Sequence, residues 1–347
     1  MYRKLLALFL AVVLCLSFAG CDEGKKGGDT TTTTTTTTTD TTTTTADTVT
    51  STTLPAVDPD KQGTGSTPLL YKVTDGDGDV LWLFGSIHVG REEFYPLPDY
   101  VMDAFEGSDA LAVEFDVVEF EKNPGDMMSI LQKLCYLDGT TIKDHIDEAT
   151  YDSAVKILTD SGYYNALLDY YIPALWSSFI DECTYTKMGI DLENGIDKYL
   201  INLAYEADKE VLDVESAEYQ FGMLADYSDE LQAFLLRQSV ESYDKTDELD
   251  VELDKMAELW AAGDEEAFEE YLLTEDDDIT DPEELALYEE YNESMIVVRN
   301  GNMTDYAVDI LEEGREVFMC VGAGHVGGEG GIADRLHELG YTVSKVN

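Results

Sequence analysis

The sequence predicts an α/β fold: a mixed central β-sheet with flanking helices and a large helical insertion. Three observations carry this. Short apolar runs bounded by Gly, Asp and Thr occur near both ends of the foldable part. Between them, from about residue 126 to 281, apolar residues recur at spacings of three and four. The 347 residues are 44% hydrophobic and 10% aromatic, which excludes a wholly disordered chain.

Met1–Gly20 reads as a targeting segment. Arg3 and Lys4 make a basic start, and Leu5–Phe18 follows without a charge. That stretch is shorter than the roughly 18 residues that indicate a membrane span, and it fits a secretory signal. It ends Ser17-Phe18-Ala19-Gly20-Cys21, which resembles a bacterial lipoprotein cleavage box, with Phe18 in place of the usual Leu. The expectation is a lipidated Cys21 as first mature residue, anchoring an extracytoplasmic protein to the bacterial cell membrane. The alternative is an ordinary cleaved signal. Residues 21–66 read as a Thr-rich tether, with Thr30–Thr39 and Thr41–Thr45 as pure runs that have nothing to bury. The folded domain is expected over residues 67–347.

Leu69–Val73 and Val80–Phe84 read as a β-hairpin around Thr74–Asp79. The acids of that turn mimic the start of a calcium loop. Val80 and Ser86 stand where such a loop needs Gly and a carboxylate, so the turn reading wins. Asp99–Glu106 reads as a helix and Ala110–Phe115 as a buried strand. Met127 to Thr274 is largely helical, interrupted by a strand at Glu210–Val214. The acid-dense part, Asp244–Asp281, reads as a solvated helical face. Asp281 and Pro282 are an N-cap and first residue of a helix reaching Glu313. Val317–Val321 is a strand, Gly330–Leu339 a helix and Tyr341–Val346 a closing strand.

With 73 Asp+Glu against 21 Lys+Arg, the formal net charge is −52, which repels phosphate backbones and argues against nucleic acid as a partner. It favours divalent cations and cationic peptides. Five cysteines exclude a disulfide-built scaffold; a Cys135–Cys183 bridge is left open, as is the oligomeric state.

Two histidines share a setting. His88 follows the run Leu81-Trp82-Leu83-Phe84 as Gly85-Ser86-Ile87-His88. His325 follows Val317-Phe318-Met319-Cys320-Val321 as Gly322-Ala323-Gly324-His325. Either alone reads as structural; together they point to one site at the strand ends of an α/β sheet. His145, among Asp144, Asp147 and Glu148, reads as a surface residue and His337 as a half-exposed residue of the last helix. Gly322–Gly327 matches a dinucleotide fingerprint in letters, but no further strand with its acid follows. Glu114 sits in an otherwise apolar strand and Glu215 ends another, and a buried carboxylate needs a partner or a metal. Two histidines with one or two glutamates suit Zn²⁺, Mn²⁺ or Co²⁺ with a water, or a Glu acting as general base. Arg299, in the apolar stretch Met295–Asn300, fits a site carboxylate, a developing oxyanion or a structural salt bridge. Neither a nucleophile elbow nor a His-Glu-x-x-His helix is present, and Ser86 lacks the context of a serine hydrolase.

These residues, with Val89-Gly90, Tyr95-Pro96-Leu97-Pro98, Gly189-Ile190-Asp191, Gly195-Ile196-Asp197, Val214-Glu215-Ser216 and Arg299-Asn300, resemble the TraB/PrgY/GumN family over about Leu69 to Val346. That family is similar to the TIKI metalloproteases and, more remotely, to erythromycin esterase and ChaN-type haem-binding proteins. The resemblance implies a TIKI/erythromycin-esterase-like fold and a divalent metal on His88 and His325, with Glu114 in the same site. Glu215 and Arg299 carry over as catalytic groups, and Asn300 and Gly324 as substrate contacts. The implied chemistry is peptide hydrolysis. Two rivals stay open: a non-catalytic peptide or pheromone binder, and a haem or metal carrier.

Overall fold

The computed structural model describes residues 65–273, 279 and 281–346; the signal segment, Cys21 and nearly all of the tether lie outside them. The chain is α/β, as its patterning predicts. Strand β1 (Leu70–Thr74) turns into β2 (Val80–Ser86) as an antiparallel hairpin. One oxygen of Asp75 accepts the amides of Asp77, Gly78 and Asp79, so the carboxylate closes the turn. Helix α1 (Asp99–Gly107) leads to β3 (Ala110–Val113). The helical insertion follows: α2 (Val117–Glu121), α3 (Pro124–Lys133), α4 (Glu148–Asp160), α5 (Pro173–Met188) and α6 (Ile196–Glu206). Strand β4 (Glu210–Asp213) interrupts it, and α7 (Ala217–Asp226), α8 (Asp229–Tyr243), α9 (Thr246–Ala262) and α10 (Glu265–Leu273) complete it. Helix α11 (Pro282–Asn292) runs through a π-helical segment, Glu293–Val298, into α12 (Arg299–Glu312). Strand β5 (Val317–Gly322), the short α13 (Ala323–Val326), α14 (Ile332–Glu338) and β6 (Thr342–Lys345) close the domain.

The sheet order is β4-β3-β5-β2-β1-β6. Strands β4, β3, β5 and β2 are mutually parallel, and β1 is antiparallel to both neighbours. Alternation explains the two faces. On β3, Ala110 and Ala112 belong to the same core cluster as Met303, Ala307 and Leu311 of α12, whereas Leu111 and Val113 join the larger core under the insertion. Parallel strands buried on both faces read as continuous apolar runs, as β3 and β5 do.

No helix among the described residues is long and apolar enough to cross a membrane. Cys135, Cys183 and Cys320 are free thiols.

Candidate functional site

Parallel direction puts four carboxyl ends on one edge of the sheet. Across that edge stand Glu215 beyond β4, Glu114 just after β3, His325 beyond β5 and His88 two residues past β2. Neighbouring strands lie about 5 Å apart, so residues distant in sequence become neighbours by pairing alone.

The backbone turns that carry them depend on glycine. A Cβ on Gly90 would lie 1.6 Å from the carbonyl oxygen of Asn194. That close approach seats the His88 turn on the turn leading into α6, whose first turn carries Asp197. A Cβ on Gly322 would lie 3.2 Å from Oε1 of Glu114, whose carboxylate accepts the Gly322 amide at 2.9 Å.

Both imidazoles are held by the same ring atom. Nδ1 of His88 lies 2.5 Å from Oδ2 of Asp197, and Nδ1 of His325 lies 2.7 Å from Oδ1 of Asn300. Each Nε2 is left without a hydrogen-bonding partner among the described residues. An acceptor on one ring nitrogen fixes the tautomer and aims the other nitrogen's lone pair, as in metal-ligating histidines. Burial, with the Arg299 cation beside it, takes the pKa of His325 down to about 3, so it is neutral. Burial acts the same way on His88, but the Asp197 carboxylate outweighs it and the pKa is raised.

Arg299 opens α12 directly after the π-helical segment and is only 1% exposed. Insertions of this kind re-aim side chains within a helix. Its Nη2 donates to Glu114 at 2.6 Å and to Glu215 at 2.8 Å, and its Nε donates to Glu215 at 3.0 Å. The planar fork suits two carboxylates, which a lysine's single ammonium would not. Among the described residues its Nη1 has only the thioether of Met295, at 3.2 Å. Burial would raise the pKa of Glu114, but Arg299 and the two imidazoles hold it well below the usual carboxylate range. A base so weak at neutral pH takes a proton poorly, whereas an ionised oxygen ligates well.

A cavity of about 40 Å³ is lined by Ser86, His88, Glu114, Arg299, Gly322 and His325. Met256, Phe268, Met295 and Ile296 supply apolar walls. Gly324 borders both this cavity and an adjoining one of about 120 Å³, which Asn300 also lines. Glu215 does not line the first cavity; its carboxylate is held behind Arg299. Asn300, expected to touch substrate, commits its Oδ1 to His325 and its Nδ2 to the carbonyl of Gly330.

Three roles escape sequence reasoning. Asp197 occurs in the Gly195-Ile196-Asp197 motif, but nothing local links it to His88. Gln220, fully buried, donates to Glu114 at 2.9 Å and to Glu215 at 2.8 Å. The acid-dense segment is more than a solvated face. Its apolar side, Leu249, Leu253, Met256 and Trp260, is buried, and the Trp260 indole donates to the Gly85 carbonyl at 2.7 Å. The three-and-four spacing of that stripe is the signal that could have revealed it. His145 stacks on Tyr136 and His337 is exposed, so both stand apart from the site.

Among the described residues, no group of three or more His, Cys, Asp and Glu side chains is arranged to hold a metal in this conformation. The chemistry of His88, His325 and Glu114, which border one cavity, fits one nonetheless. Two imidazoles have their Nδ1 atoms fixed, and Oε1 of Glu114 carries only the Gly322 amide.

The profile of the TraB/PrgY/gumN family matches residues 69–345. The chain is 29% identical over 155 residues to the uncharacterised protein YbaP of Escherichia coli (strain K12), covering 44% of this chain and 54% of YbaP. YbaP of Shigella flexneri gives the same figures. The chain thus spans about half the length of the curated relatives it matches. No solved structure matches it.

Proposed function

This chain belongs to the TraB/PrgY/gumN family, and on that premise we propose that it is a divalent-metal-dependent hydrolase, TIKI-like, acting on peptides. One observation carries the reading: two imidazoles on matched strand-end turns, each with Nδ1 locked, border one cavity with Glu114 and Arg299. His88, His325 and Oε1 of Glu114 would hold the metal, which when bound supplies a Lewis acid and lowers the pKa of its water. Asp197 and Asn300 orient the two imidazoles. Arg299 pairs with both Glu114 and Glu215 and keeps Nη1 as a donor for charge developing on a carbonyl oxygen. Glu215 and Gln220 act through Arg299 and Glu114 as positioning residues. The cavity's volume suits the reacting group, so the rest of a peptide would lie outside it. The acidic surface favours cationic substrates at low salt. The lipoprotein-like start supports a lipid anchor at Cys21 on the outer side of the bacterial cell membrane.

The test is metal content after loading with Mn²⁺, Co²⁺ or Zn²⁺ and dialysis against a weak chelator, beside a peptide-cleavage screen. Wild type should retain about one ion per chain and cleave peptides; His88→Ala/His325→Ala should do neither. Equal, near-zero retention in both proteins refutes the metal. Peptide binding that survives chelation, without cleavage, makes the protein a binder instead.

A further inference from the structure

We propose that Ser86 is a working part of this site: its hydroxyl donates to the substrate oxygen that becomes negative in the reaction. The inference rests on the hydrolase reading for its chemistry, and its observations are separate from the imidazole pair. Ser86 is the last residue of β2, paired in register with Gly322 of β5, and only 2% exposed. Its Oγ has no nitrogen or oxygen partner among the described residues. The buried thiol of Cys320 is within its reach: burial pushes the pKa of that thiol up and the Ser86 hydroxyl pulls it down by less, but sulfur is a weak acceptor. Ser86 also borders the cavity that His88, Glu114, Arg299 and His325 share.

A buried hydroxyl without a partner destabilises a fold, and an alanine here would fold more cheaply. Pairing with Gly322 of β5 holds the Ser86 backbone at the strand end, and the side chain there is buried. The orphan is therefore explained by a ligand that completes it. Its neighbours say which kind. The Glu114 carboxylate already accepts from Gly322, Gln220 and Arg299, and its remaining capacity on Oε1 is the one assigned to the metal. Apart from the two imidazole Nε2 atoms and Oε1 of Glu114, which the metal would take, the under-used polar groups around the cavity are donors: the Ser86 O–H and Nη1 of Arg299, which among the described residues has only a thioether. Two donors of this kind call for an anionic oxygen. At about 40 Å³ the cavity has room for a group of a few heavy atoms. A carbonyl carbon with an attacking water fits that description, and so does a small tetrahedral oxyanion. No covalent step at Ser86 is involved; the hydroxyl keeps its proton and shares it in a hydrogen bond.

The experiment titrates inorganic phosphate, a tetrahedral oxyanion, into the full chain by calorimetry, with and without Mn²⁺. Wild type, Ser86→Ala and Ser86→Thr are compared, and the melting temperature of each is recorded without ligand. Wild type is expected to bind phosphate, Ser86→Ala to bind about 10- to 100-fold more weakly, and Ser86→Thr, which restores the hydroxyl, to recover most of the loss. Without ligand, Ser86→Ala should melt no lower than wild type, because it removes an orphan. The proposal is overturned if wild type takes no phosphate, if Ser86→Ala binds it as well as wild type, or if Ser86→Ala melts lower. The two readings separate in the cleavage assay. Ser86-dependent phosphate binding without peptide cleavage sinks the hydrolase and keeps the oxyanion site. Cleavage unaffected by Ser86→Ala does the reverse.

Discussion

Replacing Arg299 by methionine tests whether the arginine fork holds the site together. The guanidinium is 1% exposed and bonds two carboxylates, those of Glu114 and Glu215, whose side chains are 10% and 2% exposed. Methionine keeps the apolar stem and removes the charge, leaving both carboxylates buried beside one another with Gln220 as their shared donor. Breaking a buried pair in this way costs about 3–5 kcal/mol. Glu215→Gln removes one acceptor charge while Arg299 keeps Glu114, so its cost is lower, about 1–3 kcal/mol. In the double variant only Glu114 lacks a cation. The combined loss should therefore fall short of the sum by about 1.5–3 kcal/mol. Urea unfolding of the four proteins at pH 7, followed by circular dichroism, measures this directly. Losses that add to within about 0.5 kcal/mol, or an Arg299→Met cost below about 1 kcal/mol, would refute the reasoning.

Asn300→Ala removes the oxygen that fixes His325 and should weaken Mn²⁺ binding by about 10- to 100-fold; an affinity within twofold of wild type speaks against the orienting role. Asp181 on α5 is 2% exposed, one of its oxygens has no partner, and burial raises its pKa above 3.8. Because the unfolded chain ionises this carboxyl first, its contribution is intact below pH 3.8 and is lost as pH climbs toward the folded pKa, by up to about 1.4 kcal/mol per pH unit. Asp181→Asn should therefore raise the melting temperature more at pH 7 than at pH 4. An equal shift at both values would sink that account.

Much of the fold is legible because its causes are local. The Asp75 turn, the Asp281 cap with Pro282 and the helical spacing of the insertion each follow from residues a few positions apart. The strand-end histidines and glutamates were legible for a related reason, since a polar residue closing an apolar run marks a strand end. What those polar groups bind was not. Asp197 is 109 residues from His88, and Gln220 is 106 from Glu114. A glutamine in a helix gives no local sign that it bridges two carboxylates. Asn300 shows the same limit: the family resemblance implied a substrate contact, and its partner proved to be an imidazole 25 residues on.

The sequence by itself determined the class of fold, the acidic surface, and which side chains stand at strand ends, since periodicity and charge act over a turn or a strand. Only the tertiary structure decided that four of those ends lie on one edge. That follows from β5 entering between β2 and β3 in parallel, a pairing of strands more than 200 residues apart. It also decided which carboxylates share Arg299, and that Ser86 is left with an unpartnered hydroxyl beside the same cavity. Burial turns these from adjacency into chemistry: away from water a guanidinium commits to two carboxylates, and a hydroxyl without a partner waits for a ligand.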